Sequence, residues 1–279
     1  LRAKISPKDG LHGHFNNYMT HCSQQSEESG DDWHMKMEMT LNLMSKLRTT
    51  AFKQNIMKES QEFFYDKSRD FIEKLDSFTH LIGFNNGVYD LERQEFRAGQ
   101  PSDYITLSTK IDYIKFDTTN PEIMEISEFL HSILEQIFPN PELKKYVLQL
   151  YGSFLNGSTK NEHCHFWHGS GANGKSVLVD MMQYCFGDYF GVLPITLLTK
   201  TRAASNAPQP ELFATKGKRF TVLQEPEGNA SINAGLLKEL TGGDMITCRT
   251  LHEKPITFKP QFNLIMTCNN LPRLPADDG

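Results

Sequence analysis

Gly169-Ser170-Gly171-Ala172-Asn173-Gly174-Lys175-Ser176 decides the fold of this 279-residue chain. The octapeptide fits GxxxxGK[ST], a pattern in which glycines let backbone N–H groups turn inward around phosphates. Its neighbours supply the context the pattern needs. His163-Cys164-His165-Phe166-Trp167-His168 reads as a buried strand before the loop. Val177, Leu178, Met181, Met182 and Cys185 suit a helix after it, ended by Gly187. In a strand–loop–helix unit the helix N-terminus adds positive potential to the amide cradle. Gly169 through Ser176 are then the ATP-binding residues, with Lys175 reaching the β- and γ-phosphates and the Ser176 hydroxyl ligating Mg²⁺.

Two rival readings of the same stretch fail on sequence. Gly169, Gly171 and Gly174 also satisfy GxGxxG, but a dinucleotide fold needs an acid about 20 residues on, at the end of the next strand. Residues 192–201 contain no acid, and Lys175-Ser176 would have no role. The His163/His165/His168 run suggests zinc. On a strand, however, His163 and His165 share one face and His168 takes the other, a poor arrangement around one metal.

ATP hydrolysis also needs a carboxylate at a neighbouring strand tip. Arg219-Phe220-Thr221-Val222-Leu223-Gln224-Glu225 is an apolar run ending in an acid. Glu225 is the expected catalytic and Mg²⁺-associated acid, and Glu227 is a weaker alternative beyond Pro226. Phe262-Asn263-Leu264-Ile265-Met266-Thr267-Cys268 reads as a third strand with Asn269 at its tip, where an amide can position the attacking water. Between these two strands, Leu236–Leu240 reads as a short helix stopped by Gly242-Gly243. Met245–Leu251 and Pro255–Phe258 then read as a hairpin around His252-Glu253-Lys254. Arg249, His252 and Lys254 near its tip could grip a phosphate backbone without reading bases.

Upstream, residues 121–156 read as two helices. Ile123, Ile126, Leu130, Ile133 and Ile137 form the apolar face of the first. Leu143, Val147, Leu150 and Phe154 form that of the second, whose start is set by Asn140-Pro141. Asn85-Asn86-Gly87 between Leu81–Phe84 and Val88–Leu91 signals a hairpin, since Asn-Gly favours positive φ. Tyr104 to Phe116 is β-prone. Residues 33–78 are helical in pattern, with a Met35/Met39/Leu43/Leu47 stripe that reads as core filler. The polar run Ser23 to Asp32 reads as a linker, and His12, His14 and His21 as solvated loop histidines.

Composition narrows the function classes. A net charge of −5 excludes a binder that coats nucleic acid by bulk charge. The charge is uneven. Residues 1–162 carry 18 Lys and Arg against 24 Asp and Glu, whereas residues 163–279 carry 11 against 10. Any nucleic-acid contact therefore depends on a few placed cations in the second part. Five cysteines without a CxxC pair fit unpaired thiols in a reducing compartment. No signal pattern appears and no stretch approaches 18 apolar residues, so a membrane partner is not expected. The expected localisation is the cytoplasm or a host-cell replication compartment.

The ordered set resembles the A, B, B′ and C motifs of superfamily 3 helicases: Gly169–Ser176, then Phe220–Glu225, then Thr241-Gly242-Gly243-Asp244 with its hairpin, then Thr267-Cys268-Asn269. The variant looks like the poxvirus-type helicase–primases of nucleocytoplasmic large DNA viruses and related phage primase–helicases. Residues 80–279 carry the resemblance.

It implies an α/β chain with an AAA+ P-loop ATPase core over residues 161–279, incomplete at its C-terminus. A mainly helical domain with a small β portion precedes it over residues 33–160, and a flexible segment occupies 1–32. The resemblance also implies a homohexamer with ATP between subunits and single-stranded DNA in a central channel touched by Arg249, His252 and Lys254, with other replication proteins as possible partners. By the same match Glu225 is the Walker B acid and Asn269 is sensor 1. Two departures stand out. Gln224 occupies a position where many members carry a second acid. The family's arginine finger follows an Asp-Gly, and this chain stops at Asp278-Gly279. The primase catalytic region expected upstream is also absent from the sequence.

The expected function is ATP-driven DNA unwinding in genome replication. The alternative is a nucleotide-dependent DNA-binding or loading ATPase without processive unwinding, which strand displacement separates. A small-molecule P-loop kinase would need acceptor and lid residues, and residues 180–219 offer none.

Overall fold

Phe220-Thr221-Val222-Leu223 and Leu264-Ile265-Met266 are buried on both sides of the backbone. That is the mark of central strands in a parallel sheet covered on both faces. The structure is a computed structural model that describes residues 14–21, 31–63, 71–199, 207–223, 231–251 and 255–272. In it these runs form β6 (Phe220–Leu223) and β9 (Asn263–Cys268), flanked by β4 (Cys164–His168) and β5 (Phe190–Leu193). The order is β4-β9-β6-β5 with every neighbouring pair parallel, so the protein is of the α/β class.

Alternate side chains of the central strands enter opposite cores, as the two-residue period of a strand requires. Leu223, Leu264 and Met266 join Leu198, Leu212, Leu240, Phe258 and Phe262. That face is covered by α7 (Thr196–Thr199), α8 (Pro210–Phe213), α9 (Ala234–Thr241) and the antiparallel pair β7 (Ile246–Cys248) and β8 (Ile256–Phe258). Phe220, Val222 and Ile265 join Phe154, Met182, Phe186, Tyr189 and Ile82 on the other face. This second core draws on α6 (Lys175–Phe186) and on elements upstream of it.

After a short α3 (Phe71–Lys74), the upstream helices are α4 (Pro121–Ile137) and α5 (Pro141–Ser153). Both α4 and α5 start on an asparagine cap followed by proline. The Asn120 side chain accepts from the Glu122 and Ile123 N–H groups, and Asn140 accepts from Glu142 and Leu143. In α5 the expected face holds at Val147 and Phe154, with Leu150 half-buried, but Leu143 is exposed. In α4 Leu134 is the buried residue and Ile123, Ile133 and Ile137 are half-buried. Ile126 and Leu130 face outward, because the seam that covers the helix is narrower than its apolar stripe.

A three-stranded antiparallel sheet, β1 (Leu81–Phe84), β2 (Gly87–Asp90) and β3 (Glu95–Arg97), contains the expected hairpin. Its turn is Asn85-Asn86, since Phe84 pairs with Gly87, and neither asparagine takes a positive φ. Residues 104–116 form no strand. Several of their amides donate to side chains instead of a ladder. Asp76 accepts from Thr106 and Leu107, Asp188 from Ser108, and Asn86 from Tyr113.

The chain divides into two compact units, Leu1–Arg69 and Asp70–Gly279. The expected boundary at 160/161 thus falls inside one of them. The reason is the shared second core together with Arg219, which is 2% exposed. Its Nη1 donates to Gln261 Oε1 (2.7 Å), and its Nη2 to the carbonyls of Phe78 (3.0 Å) and Leu81 (3.3 Å). Gln261 Nε2 donates to the Asp76 and Ser77 carbonyls at 3.0 and 3.1 Å. Burial pulls the Arg219 guanidinium down to about 10.

The first unit contains α1 (Asp31–Leu47) and α2 (Thr50–Phe63), which pack on each other, and a helical stretch over residues 14–21. The expected linker reached Asp32, but Asp31 and Asp32 begin α1; residues 22–30 lie outside the described residues. His14 and His21 lie on the helical stretch rather than in a loop, and His12 lies outside the described residues. The Met35/Met39/Leu43/Leu47 stripe is core only in its second half, where Leu47 is buried and Leu43 half-buried. Met35 and Met39 are 60% and 67% exposed, and the buried positions of α1 are Thr40, Met44 and Leu47. Among the described residues no helix is long and apolar enough to cross a membrane.

Candidate functional site

The phosphate-loop motif lies at the carboxyl ends of the parallel strands, where open α/β sheets bind ligands. β4 ends at His168, and the Gly169 N–H continues its pairing by donating to the Cys268 carbonyl of β9 at 3.2 Å. The loop then turns through two left-handed residues, Ala172 (φ 59°) and Gly174 (φ 87°), into α6. At Gly174 the positive φ and the Ile137 side chain, 2.7 Å from where a Cβ would stand, both exclude a larger residue. α6 has no side-chain cap at its N-terminus and no acid in its first turn. Its leading N–H groups and its dipole are therefore available to an anion.

Lys175 stands at the centre. Its Nζ donates to the Gly169 carbonyl (2.6 Å), to Asn173 Oδ1 (3.0 Å) and to Asn269 Oδ1 (3.0 Å), with the Ser170 carbonyl at 3.4 Å. All four acceptors are neutral, so among the described residues no carboxylate offsets a charge that phosphate can take up. The Asn269 contact joins the loop after β4 to the end of β9. The parallel register that sets His168 opposite Cys268 brings them together.

An open pocket of about 720 Å³ extends from the loop. Lys175, Ser176, Asp180 and Gln183 of α6 line it, together with Phe190 and Val192 of β5, Val222 of β6, and Thr267, Cys268 and Asn269 at the end of β9. Its size is within the range of small-ligand sites. The residues fit a nucleoside triphosphate with its metal. The amide cradle and Lys175 match the phosphates, and the Ser176 hydroxyl is a hard oxygen donor of the kind Mg²⁺ takes.

The structure thus gathers Gly169–Ser176 and Asn269 into one site. Glu225 and Glu227 lie outside the described residues, as do His252 and Lys254. β6 is described to Leu223, and its end opens toward this pocket through Val222. Arg249 follows β7, where its carbonyl accepts from the Gln209 N–H at 2.9 Å. The two strands of the expected hairpin pair antiparallel, with Thr247 opposite Thr257 and their hydroxyls 2.9 Å apart, but the first strand ends at Cys248, before Arg249, and the tip lies outside the described residues.

The geometry also disfavours the two rival readings of the loop. The strand after α6 is β5, at the far edge from β4, whereas a dinucleotide fold places that strand beside the first. Among the described residues no group of three His, Cys, Asp or Glu could hold a metal ion. His163 and His165 lie edge to face with ring centroids 6.1 Å apart. Burial, then His163, pushes His165 down and favours its neutral form. Burial likewise holds the Cys164 thiol up at about 12 and Cys248 at about 11, and none of the four described cysteines is in a disulfide.

Sequence reasoning missed the second amide on Lys175, from Asn173, and the apolar wall of Phe190, Val192 and Val222. It also missed Asp180. Its signal was present, since Asp180 stands four residues after Ser176 on the same helix face.

Comparison with known proteins supplies the relatives. Residues 8–139 match the family model described as "D5 N terminal like", and residues 167–279 match a family of unknown function, DUF5906. The chain is 38% identical to "Putative helicase L207/L206" of Acanthamoeba polyphaga mimivirus over 91% of its own length and 26% of that protein. It is 34% identical to "Putative helicase 121R" of Invertebrate iridescent virus 3, covering 83% of this chain and 24% of that protein. It is 25% identical to "Putative primase C962R" of African swine fever virus (strain Badajoz 1971 Vero-adapted), covering 89% and 26%. The chain therefore spans about a quarter of the length of these relatives. Among solved structures, the apo C-terminal region (305–718) of NrS-1 aligns with a TM-score of 0.41 at 14% identity, over 68% of this chain and 54% of that one, too loosely to carry an argument. By its sequence, the chain carries a D5 N-terminal-like domain over residues 8–139, and its relatives are viral proteins named as putative helicases and primases.

Proposed function

We propose that this chain is the motor part of an ATP-dependent DNA helicase, with an AAA+ core of the superfamily 3 kind that works as a homohexamer in viral genome replication. The observation that carries the reading is the bonding of Lys175. One ammonium touches the phosphate-loop carbonyl of Gly169 and the strand-end amide of Asn269. A phosphate that draws Lys175 toward it changes what Asn269 can bond. Nucleotide state is thereby passed to β9, and through the β9 backbone to the segment that follows β8.

In this reading the amides of Gly169 to Ser176 and the Lys175 ammonium bind the β- and γ-phosphates. Bound Mg²⁺ would neutralise charge between those phosphates. Ser176 would hold that ion, with Glu225 completing the site from the end of β6 and orienting the attacking water. Asn269 would fix the water's position. Arg249, His252 and Lys254 would meet the DNA backbone, and six copies would concentrate cations that a single chain of net charge −5 lacks.

The test is Glu225→Gln. ATP affinity should stay within about twofold while turnover falls by roughly two orders of magnitude or more, as expected for loss of a group acting in the transition state. Parallel loss of binding and turnover would refute the role. Strand displacement by the wild type in the presence of ATP supports the helicase reading. DNA-dependent turnover without displacement would point instead to a loading ATPase.

A further inference from the structure

We infer that Asp180 is a positioning residue for the divalent cation of the nucleotide–metal complex, acting through the cation's water shell; the inference rests on the nucleotide-binding reading above. Asp180 stands one turn beyond Ser176 on α6 and lines the same pocket as Ser176, Thr267 and Asn269. Residues four apart share a helix face, and helical side chains tilt toward the N-terminus. The carboxylate therefore leans toward the Ser176 hydroxyl rather than away from it.

The mode of action follows from the ion. Mg²⁺ dehydrates reluctantly and keeps several of its waters. Ser176 offers one inner ligand, and a water held by the same ion can bridge to the Asp180 carboxylate on the same helix face. The chemistry of the wall points the same way. The same wall carries Val179, Phe190, Val192 and Val222, whose side chains neither donate nor accept a hydrogen bond, and Gln183 of α6, whose amide is neutral; none of them supplies a charge to offset the carboxylate. Among the described residues the Asp180 side chain makes neither an ion pair nor a hydrogen bond.

Electrostatics supplies the sign. A bare carboxylate on the wall of a triphosphate pocket repels the ligand. With a hydrated divalent cation between them, the carboxylate attracts the complex instead. Asp180 therefore makes the site prefer metal-bound nucleotide over free nucleotide, which a neutral residue there would not do.

The experiment titrates a fluorescent ATP analogue into the 279-residue chain with excess EDTA and then across a Mg²⁺ series, for wild type, Asp180→Asn, Asp180→Glu and Lys175→Ala. In wild type, Mg²⁺ should tighten binding. In Asp180→Asn the Mg²⁺ needed for half of that gain should rise roughly tenfold, the scale of one hydrogen bond to a charged group. Its affinity in EDTA should be equal to or tighter than wild type. Asp180→Glu should recover part of the Mg²⁺ response. An unchanged Mg²⁺ midpoint in Asp180→Asn, or an equal loss with and without Mg²⁺, overturns the proposal. If Lys175→Ala binds as wild type does, or wild type does not bind, the nucleotide reading itself fails and the role of Asp180 falls with it.

Discussion

Two residues with long side chains organise opposite ends of the parallel sheet. Lys175 does so at the carboxyl ends, as described. At the amino ends Arg219 is buried and bonded to no carboxylate, its charge spread over carbonyls and the Gln261 amide. A buried cation tolerates this only while every acceptor stays in place. Gly157 is part of the same packing, since a Cβ there would lie 1.3 Å from Arg219 Nη1. The guanidinium is fixed by three acceptors and cannot move aside. Gly157→Ala should therefore destabilise the chain by at least about 1–3 kcal/mol, the range for overpacking a filled site. Denaturant titration measures it, and a change under about 0.5 kcal/mol, typical of a surface substitution, would mean the junction is loose.

At the scale of elements, local chemistry carried most of what the sequence disclosed. The asparagine–proline starts of α4 and α5 are visible in four residues because a cap is a contact between near neighbours. Asn140→Ala should cost about 1 kcal/mol of stability by removing the acceptor for the Glu142 and Leu143 amides, and Asn140→Asp should restore most of it. Equal melting temperatures for wild type and Asn140→Ala would show that α5 is held by packing alone. The strand–loop–helix unit at residues 164–186 and the paired strands 246–248 and 256–258 were legible for the same reason. Features that depend on distant partners were not. The inward face of α1 runs through Thr40 and Met44 rather than Met35 and Met39, because a neighbour and not periodicity chooses which apolar stripe is covered. Residues 104–116 have strand composition but give amides to Asp76, Asp188 and Asn86, at sequence separations of 27 residues or more. Arg219 stands at the start of the run that reads as a strand, and nothing local announces that the Phe78 and Leu81 carbonyls accept from it.

For the molecule as a whole, the parallel sheet separates two tasks. One face is packed by α7, α8, α9 and the β7–β8 hairpin, and the other by α6 with α5 and the small upstream sheet. The pocket opens between the loop before α6, α6 itself and the strands β5, β6 and β9, on the face of the sheet that α6 covers. In the proposed motor, phosphate chemistry on this face would have to reach the β7–β8 pair on the other through β9. The proposed DNA contact is compatible with a net charge of −5, since the acidic excess lies in residues 1–162 and the β7–β8 pair belongs to the other part. All of this depends on the pocket holding a nucleotide through Lys175. The most direct test is equilibrium binding of ATP with Mg²⁺ to wild type and Lys175→Ala, each shown to be folded by its melting curve. The account predicts binding by wild type and a loss of at least about tenfold in the variant, the worth of one hydrogen bond to a charged group. Equal affinity in the two proteins would contradict it.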